Sequence, residues 1–299
     1  MASPAPAPVA GMSTQMRQML ASNFGQLRYE PTAKRIRAEL GGRTVVDTTG
    51  AALVWEPRRV VPSYAVPRSD VHGDLVPAPA PADDAGGPAE AGFSLPDVTS
   101  QPVLDPRIPF AVHTTEGLAV DLDAAGQHRA AAGFLPADPD LAGLVVLDFG
   151  AFDAWYEEDE RNVAHPRDPF HRIDVLPSSR RVRLELDGQL LAESARPMLL
   201  FETMLPTRYY LPRADVTAEL TASDTRTWCA YKGRASYFSA TVGGRLVPDL
   251  AWTYPDPRHD ATDVRDLVAF FDERIDVIVD GKPQPRPVTP WSDAGGPGR

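Results

Sequence analysis

The chain has 299 residues, with 31 prolines, one cysteine and 30 basic against 41 acidic side chains, a formal charge of −11. That balance repels polyanions, so nucleic-acid binding would need a basic stripe, and only the short starts KRIR (34–37) and RRVR (180–183) stand out. One cysteine excludes an internal disulfide and a paired-cysteine zinc clamp, while a 43% hydrophobic share suffices for a buried core.

The amino terminus, MASPAPAPVAGMSTQMRQML, is interrupted by proline. It lacks a charged start followed by a continuous apolar run, so it does not read as a signal peptide, and residues 1–24 are expected to be flexible. No stretch approaches the ~18 apolar residues of a membrane helix, so no membrane association and a cytoplasmic location are expected.

From residue 35 the chain repeats itself. RIRAELGGRTVVDTTGAALVWE (35–56) lies over RVRLELDGQLLAESARPMLLFE (181–202) without a gap. Tyr64-Ala-Val-Pro-Arg68-Ser-Asp70-Val71 then meets Tyr209-Tyr-Leu-Pro-Arg213-Ala-Asp215-Val216. His113–Gly117 meets Cys229–Gly233, and Ala154–Glu158 meets Ala269–Glu273. Blocks in one order imply two tandem repeats, at 25–168 and 169–292. The first carries a Pro/Ala/Gly-rich insertion at 76–109, expected to be disordered, and residues 293–299 form a disordered tail.

Within each repeat the apolar period is two. RVRLEL alternates, Asp187-Gly188 is a hairpin turn, and ASYFSATVGGRLVPDLAW reads as a hairpin about Gly243-Gly244. Helix is expected in LAGLVVLDFGAFDAWYEED, closing in the acidic patch Glu157–Glu160, and in the shorter DVRDLVAFF. The fold class is mostly β with a short helix per repeat (α+β).

RYYLPRADV, TRTWCAYKGRASYFS, DLAWTYPDP and LVAFFDERIDVIVDG resemble the domain-of-unknown-function family 427, sometimes labelled nucleotidyltransferase-like. The resemblance is strong in the second repeat and degenerate in the first. It implies two tandem β-tent, or Mss4-like, domains, here without the zinc clamp. The transferase label finds no glycine-serine turn followed by a paired-aspartate metal motif.

The densest chemistry falls in the second repeat. Arg213 and Lys232 are suited to an anion, Cys229 to activation by the nearby lysine, and Glu202, Tyr209 or Cys229 to moving a proton. Tyr210, Asp215, Tyr231, Trp252 and Tyr254 complete a candidate ligand wall. Against this, Cys229 is a plausible packing residue, and Lys232 and Arg213 plausible partners of Glu202 or Asp215. Glu56 and Glu202 hold equivalent places after an aromatic, each a candidate general base. His165-Pro-Arg-Asp-Pro-Phe-His171 matches no standard metal spacing and reads as a brace between the repeats. No metal and no cofactor are expected.

The expectation is therefore an enzyme acting on a small polar or anionic metabolite, of unknown reaction and oligomeric state. The alternatives are a non-catalytic small-molecule binding or sensing module, or a purely structural one using the acidic patch.

Overall fold

Alternation of inward and outward side chains organises most of the chain in the computed structural model, which describes residues 13–79, 92–93, 103–104, 108–289 and 291–292. In the strand Ile36–Leu40 the residues Ile36, Ala38 and Leu40 are buried, while Arg37 and Glu39 are half-buried. The strand Val182–Leu186 follows the same pattern. Each turns back through two residues of positive φ, Gly41-Gly42 (58° and 71°) and Asp187-Gly188 (52° and 73°). That turn geometry matches the twist of paired strands.

In the first half a seven-stranded antiparallel sheet runs in the order Arg28–Pro31, Ala52–Trp55, Ser63–Pro67, Leu144–Leu147, Gln127–Pro136, Gly117–Ala124, Asp74–Pro77. A four-stranded sheet sets Glu160–Asn162, Ala154–Glu157, Ile36–Leu40 and Arg43–Thr48 side by side.

In the second half Ile173–Pro177, Met198–Glu202 and Arg208–Tyr210 pair in that order. A reciprocal pair of backbone hydrogen bonds between Leu211 and Val268 leads on to Ala269–Phe270, Arg245–Thr253, Gly233–Val242 and Glu219–Cys229. The other sheet orders Gln189–Ser194, Val182–Leu186, Asp276–Val279 and Lys282–Pro283. The same strand order is thus found in both halves, with the larger sheet of the second reduced at one point to a single bridge. Each buried apolar cluster draws on one half only among the described residues, centred on Ile36, Leu122 and Trp155 in the first and on Leu184, Phe270 and Tyr210 in the second.

The expected helices do not form. Residues 141–159 make the strand Leu144–Leu147, a 3-10 turn Phe149–Ala151 and the strand Ala154–Glu157. Gly143 takes a φ of 86°, and the Asp148 carboxylate accepts the Gly150 N–H, which favours a turn over a continuous helix. The acidic patch is a tight hairpin, with Glu157 opposite Glu160. DVRDLVAFF likewise becomes the end of a 3-10 turn, His259–Val264, followed by the strand Ala269–Phe270. The α-helix among the described residues is Met16–Ser22, inside the segment expected to be flexible.

Part of the expected disordered insertion is ordered too. Val76 and Pro77 belong to a strand, and Val103 and Leu104 are buried, with the Leu104 N–H donating to the Arg58 carbonyl at 2.9 Å. Residues 80–91, 94–102 and 105–107 of that insertion, the first twelve residues and the 293–299 tail lie outside the described residues.

Strand register also corrects two of the sequence alignments. Ile36–Leu40 closes on Ala154–Glu157, and Val182–Leu186 closes on Asp276–Val279, so Ala154 corresponds to Asp276 and not to Ala269. Phe134 pairs with Ala119 and Val146, as Trp252 pairs with Tyr237 and Ala269. Counted from there, His113 corresponds to Tyr231 and not to Cys229.

Candidate functional site

Glu202 ends the strand Met198–Glu202, with its side chain only 7% exposed. Its Oε2 accepts from Lys232 Nζ at 2.5 Å, and its Oε1 faces His171 Nε2 at 3.0 Å. Burial by itself would raise the Glu202 carboxyl, but the Lys232 ammonium and the His171 imidazole outweigh it and hold the pKa down to about 2. Burial would lower Lys232, yet the charges of Cys229 and Glu202 raise it. The pair is therefore a charged one. An ionised carboxylate only accepts, so the proton of the His171 contact sits on Nε2.

His171 lines a cleft of about 530 Å³ that is walled by both halves. Glu157, Glu160 and Asn162 come from the first half, Arg167 and Asp168 from the connecting segment, and Tyr231 and Arg258 from the second. Tyr231 organises the floor. Its ring stacks on His171 with centroids 4.5 Å apart, its hydroxyl accepts the Asp168 N–H at 2.8 Å, and the Arg167 guanidinium lies over its face. Burial raises the Tyr231 phenol, which keeps it protonated. His165 meets Tyr231 edge-on and binds the Pro166 carbonyl through Nδ1, while burial lowers its pKa and keeps it neutral.

The seam between the halves is polar. Arg167 pairs with Asp260, Arg258 pairs with Glu160, and Arg258 also donates to the Arg161 carbonyl at 3.0 Å. A second hollow of about 400 Å³ shares Glu160, Arg258 and His259 with the first and is bordered by the exposed Trp228.

Of the residues singled out from sequence, Glu202, Lys232 and Tyr231 converge here. Cys229 ends the strand Glu219–Cys229 and is half-buried. Tyr210, Trp252 and Tyr254 are core, the Trp252 indole donating to the Tyr210 hydroxyl at 3.1 Å. Tyr209 points the opposite way, against the Leu184 cluster. Arg213 lies over the Phe238 ring, and Asp215 accepts from Ser194 and Arg196, a turn-bracing role. Lys232 is held in a buried ion pair and does not line the cleft. Arg213 does not line it either, so neither proposed anion anchor faces this hollow. The sequence reading took His171 and Asp168 only as part of a brace between the repeats, and it offered no signal for Arg258.

The first half holds the corresponding carboxylate differently. Glu56 Oε1 meets His113 Nδ1 at 2.9 Å and Oε2 accepts the Thr114 N–H at 2.7 Å. His113 stacks on Phe134 at 3.8 Å, and its buried Nε2 has no partner among the described residues. By the strand register Thr114 takes the place of Lys232.

What the fold and site define is an antiparallel β protein with a carboxylate–imidazole pair at a cleft between two similarly wound halves. Residues 174–281 of the second half match the family described as a domain of unknown function, DUF427. No curated protein matches the chain.

Proposed function

We propose that the protein is an enzyme that transfers a proton to or from a small polar metabolite held in the cleft between the halves. The observation that carries this is the buried, charged Glu202 holding His171 at the cleft wall. In this reading His171 is the proton-transfer group through Nδ1, and Glu202 fixes its tautomer and ring orientation. Lys232 keeps Glu202 ionised, so both act as positioning residues. No cofactor enters the scheme.

A metabolite screen by thermal shift on the full chain tests it, because a ligand that binds only the native state raises the transition temperature. With a turned-over compound in hand, His171→Asn is expected to lower kcat about 10²–10⁴-fold, the usual worth of a general acid or base. KM should change little. Hits that are turned over equally well by His171→Asn would overturn the reading.

The first half favours a second reading, a non-catalytic binding or sensing module. There a carboxylate–imidazole pair, Glu56 with His113, is closed in by Phe110 and Phe134, as a structural brace would be. Ligands that bind the cleft without chemical change would support it.

The shared strand order supports a further proposal about descent: the halves are tandem copies of one β-tent-like unit, the first degenerate, neither with a zinc clamp.

A further inference from the structure

The charges that line the cleft do not cancel. Its fixed cations are each engaged by a carboxylate: Lys34 by Glu157 at 2.5 Å, Arg167 by Asp260, and Arg258 by Glu160. His171 is committed to Glu202, and His259 Nε2 lies 3.0 Å from Asp260. Two lining carboxylates have only backbone donors among the described residues. Asp168 Oδ1 accepts the Phe170 N–H at 2.7 Å, and Glu158 Oε1 accepts the Arg35 N–H at 2.9 Å. Arg28, whose charge reaches Asp168, directs its guanidinium to the Arg59 carbonyl and over the rings of Phe24 and Trp55. Burial raises the Asp168 carboxyl, with the Phe170 and His171 N–H groups and the charges of His171 and Arg28 offsetting only part of it.

We propose that the cleft selects a small organic cation bearing N–H donors, an alkyl amine or a guanidine, with Asp168 as its counter-ion. The inference deepens the enzyme reading and rests on the same cleft. An ammonium or guanidinium would satisfy the free lone pairs of Asp168 by charge-assisted hydrogen bonds. An anion would meet only cations already neutralised. The same placement brings a donor nitrogen into the hollow that His171 lines.

Calorimetric titration of the full chain with agmatine and with putrescine, against citrate and inorganic phosphate at matched ionic strength, tests this. Both cations are expected to bind and both anions to fail. Asp168→Asn preserves the acceptor for the Phe170 N–H, so it should fold, and it is expected to weaken the cations at least tenfold. Asp187→Asn removes an exposed carboxylate paired with Arg245 and is expected to leave affinity unchanged. Absence of cation binding to the wild type, or cation affinity within twofold in Asp168→Asn, overturns the proposal. Anionic or neutral ligands whose turnover depends on His171 would overturn it too, while leaving the enzyme reading standing.

Discussion

Glu202 and Asp272 are both buried carboxyls in the second half, and their surroundings push them in opposite directions. Glu202 has two partners, one of them an ammonium, and drops from 4.5 to about 2. A carboxyl depressed in the folded state stabilises the fold above its unfolded value and loses that contribution as the pH falls through the folded one. Acid titration should therefore remove roughly 3 kcal/mol between about pH 4.5 and pH 2. The loss should be absent in Glu202→Gln when unfolding is followed by urea at each pH.

Asp272 is raised from 3.8 to about 7, first by burial and then by its neighbour Glu273, with the Arg208 guanidinium at 3.6 Å offsetting only part. Arg208 forms its fork with Glu273 instead, at 2.9 and 2.5 Å. The sign is reversed here: the fold is favoured below the unfolded value and loses that advantage as the pH rises toward 7. Asp272→Asn is thus expected to raise stability at pH 8 by up to about 4 kcal/mol and to change it little at pH 3. Lys232→Met leaves a buried carboxylate without its ammonium and should cost about 3–5 kcal/mol at neutral pH. A double-mutant cycle with Glu202→Gln should recover much of that loss.

Among the elements, the strands and their turns were readable because each is specified locally. Ile36–Leu40, Val182–Leu186 and the hairpins at Asp187-Gly188 and Gly243-Gly244 follow from period two and from residues that tolerate positive φ. The helices were misread because Leu144–Leu147 is buried on nearly all sides, and an unbroken apolar run has no period to distinguish strand from helix. Gly117 and Gly188 separate two kinds of glycine requirement. A Cβ on Gly188 would meet nothing, so Gly188→Ala costs only the left-handed backbone, about 1–2 kcal/mol. A Cβ on Gly117 would lie 2.3 Å from the Phe134 ring and 2.4 Å from the Leu135 carbonyl. Gly117→Ala is therefore expected to destabilise more than Gly188→Ala, with thermal or urea unfolding of the two variants as the measurement.

At the scale of the whole molecule, the halves keep separate apolar cores and meet through ion pairs, an arginine–carbonyl bond and the Tyr231–Asp168 contact. The second half holds Glu202, Lys232 and Tyr231, but the cleft also needs Glu157, Glu160 and Asn162 from the first. Residues 169–292 alone should therefore keep their β circular dichroism and lose at least tenfold in affinity for any cleft ligand. Equal affinity in the isolated half would place the site elsewhere.

The antiparallel β character and the hairpin turns were legible because they depend on neighbours a few residues apart, and the pairing of Glu202 with Lys232 was one reading of those residue types. The sequence by itself did not determine the register that moves His113 from Cys229 to Tyr231, since a shift of two keeps every side chain on its face. Nor did it show that Arg213 would stack on Phe238 or that the His165–His171 segment would wall a cleft. The first depends on how strands pack within the second half, and the second on pairs between the halves such as Arg167–Asp260 and Glu160–Arg258, 93 and 98 positions apart, beyond the reach of any local pattern.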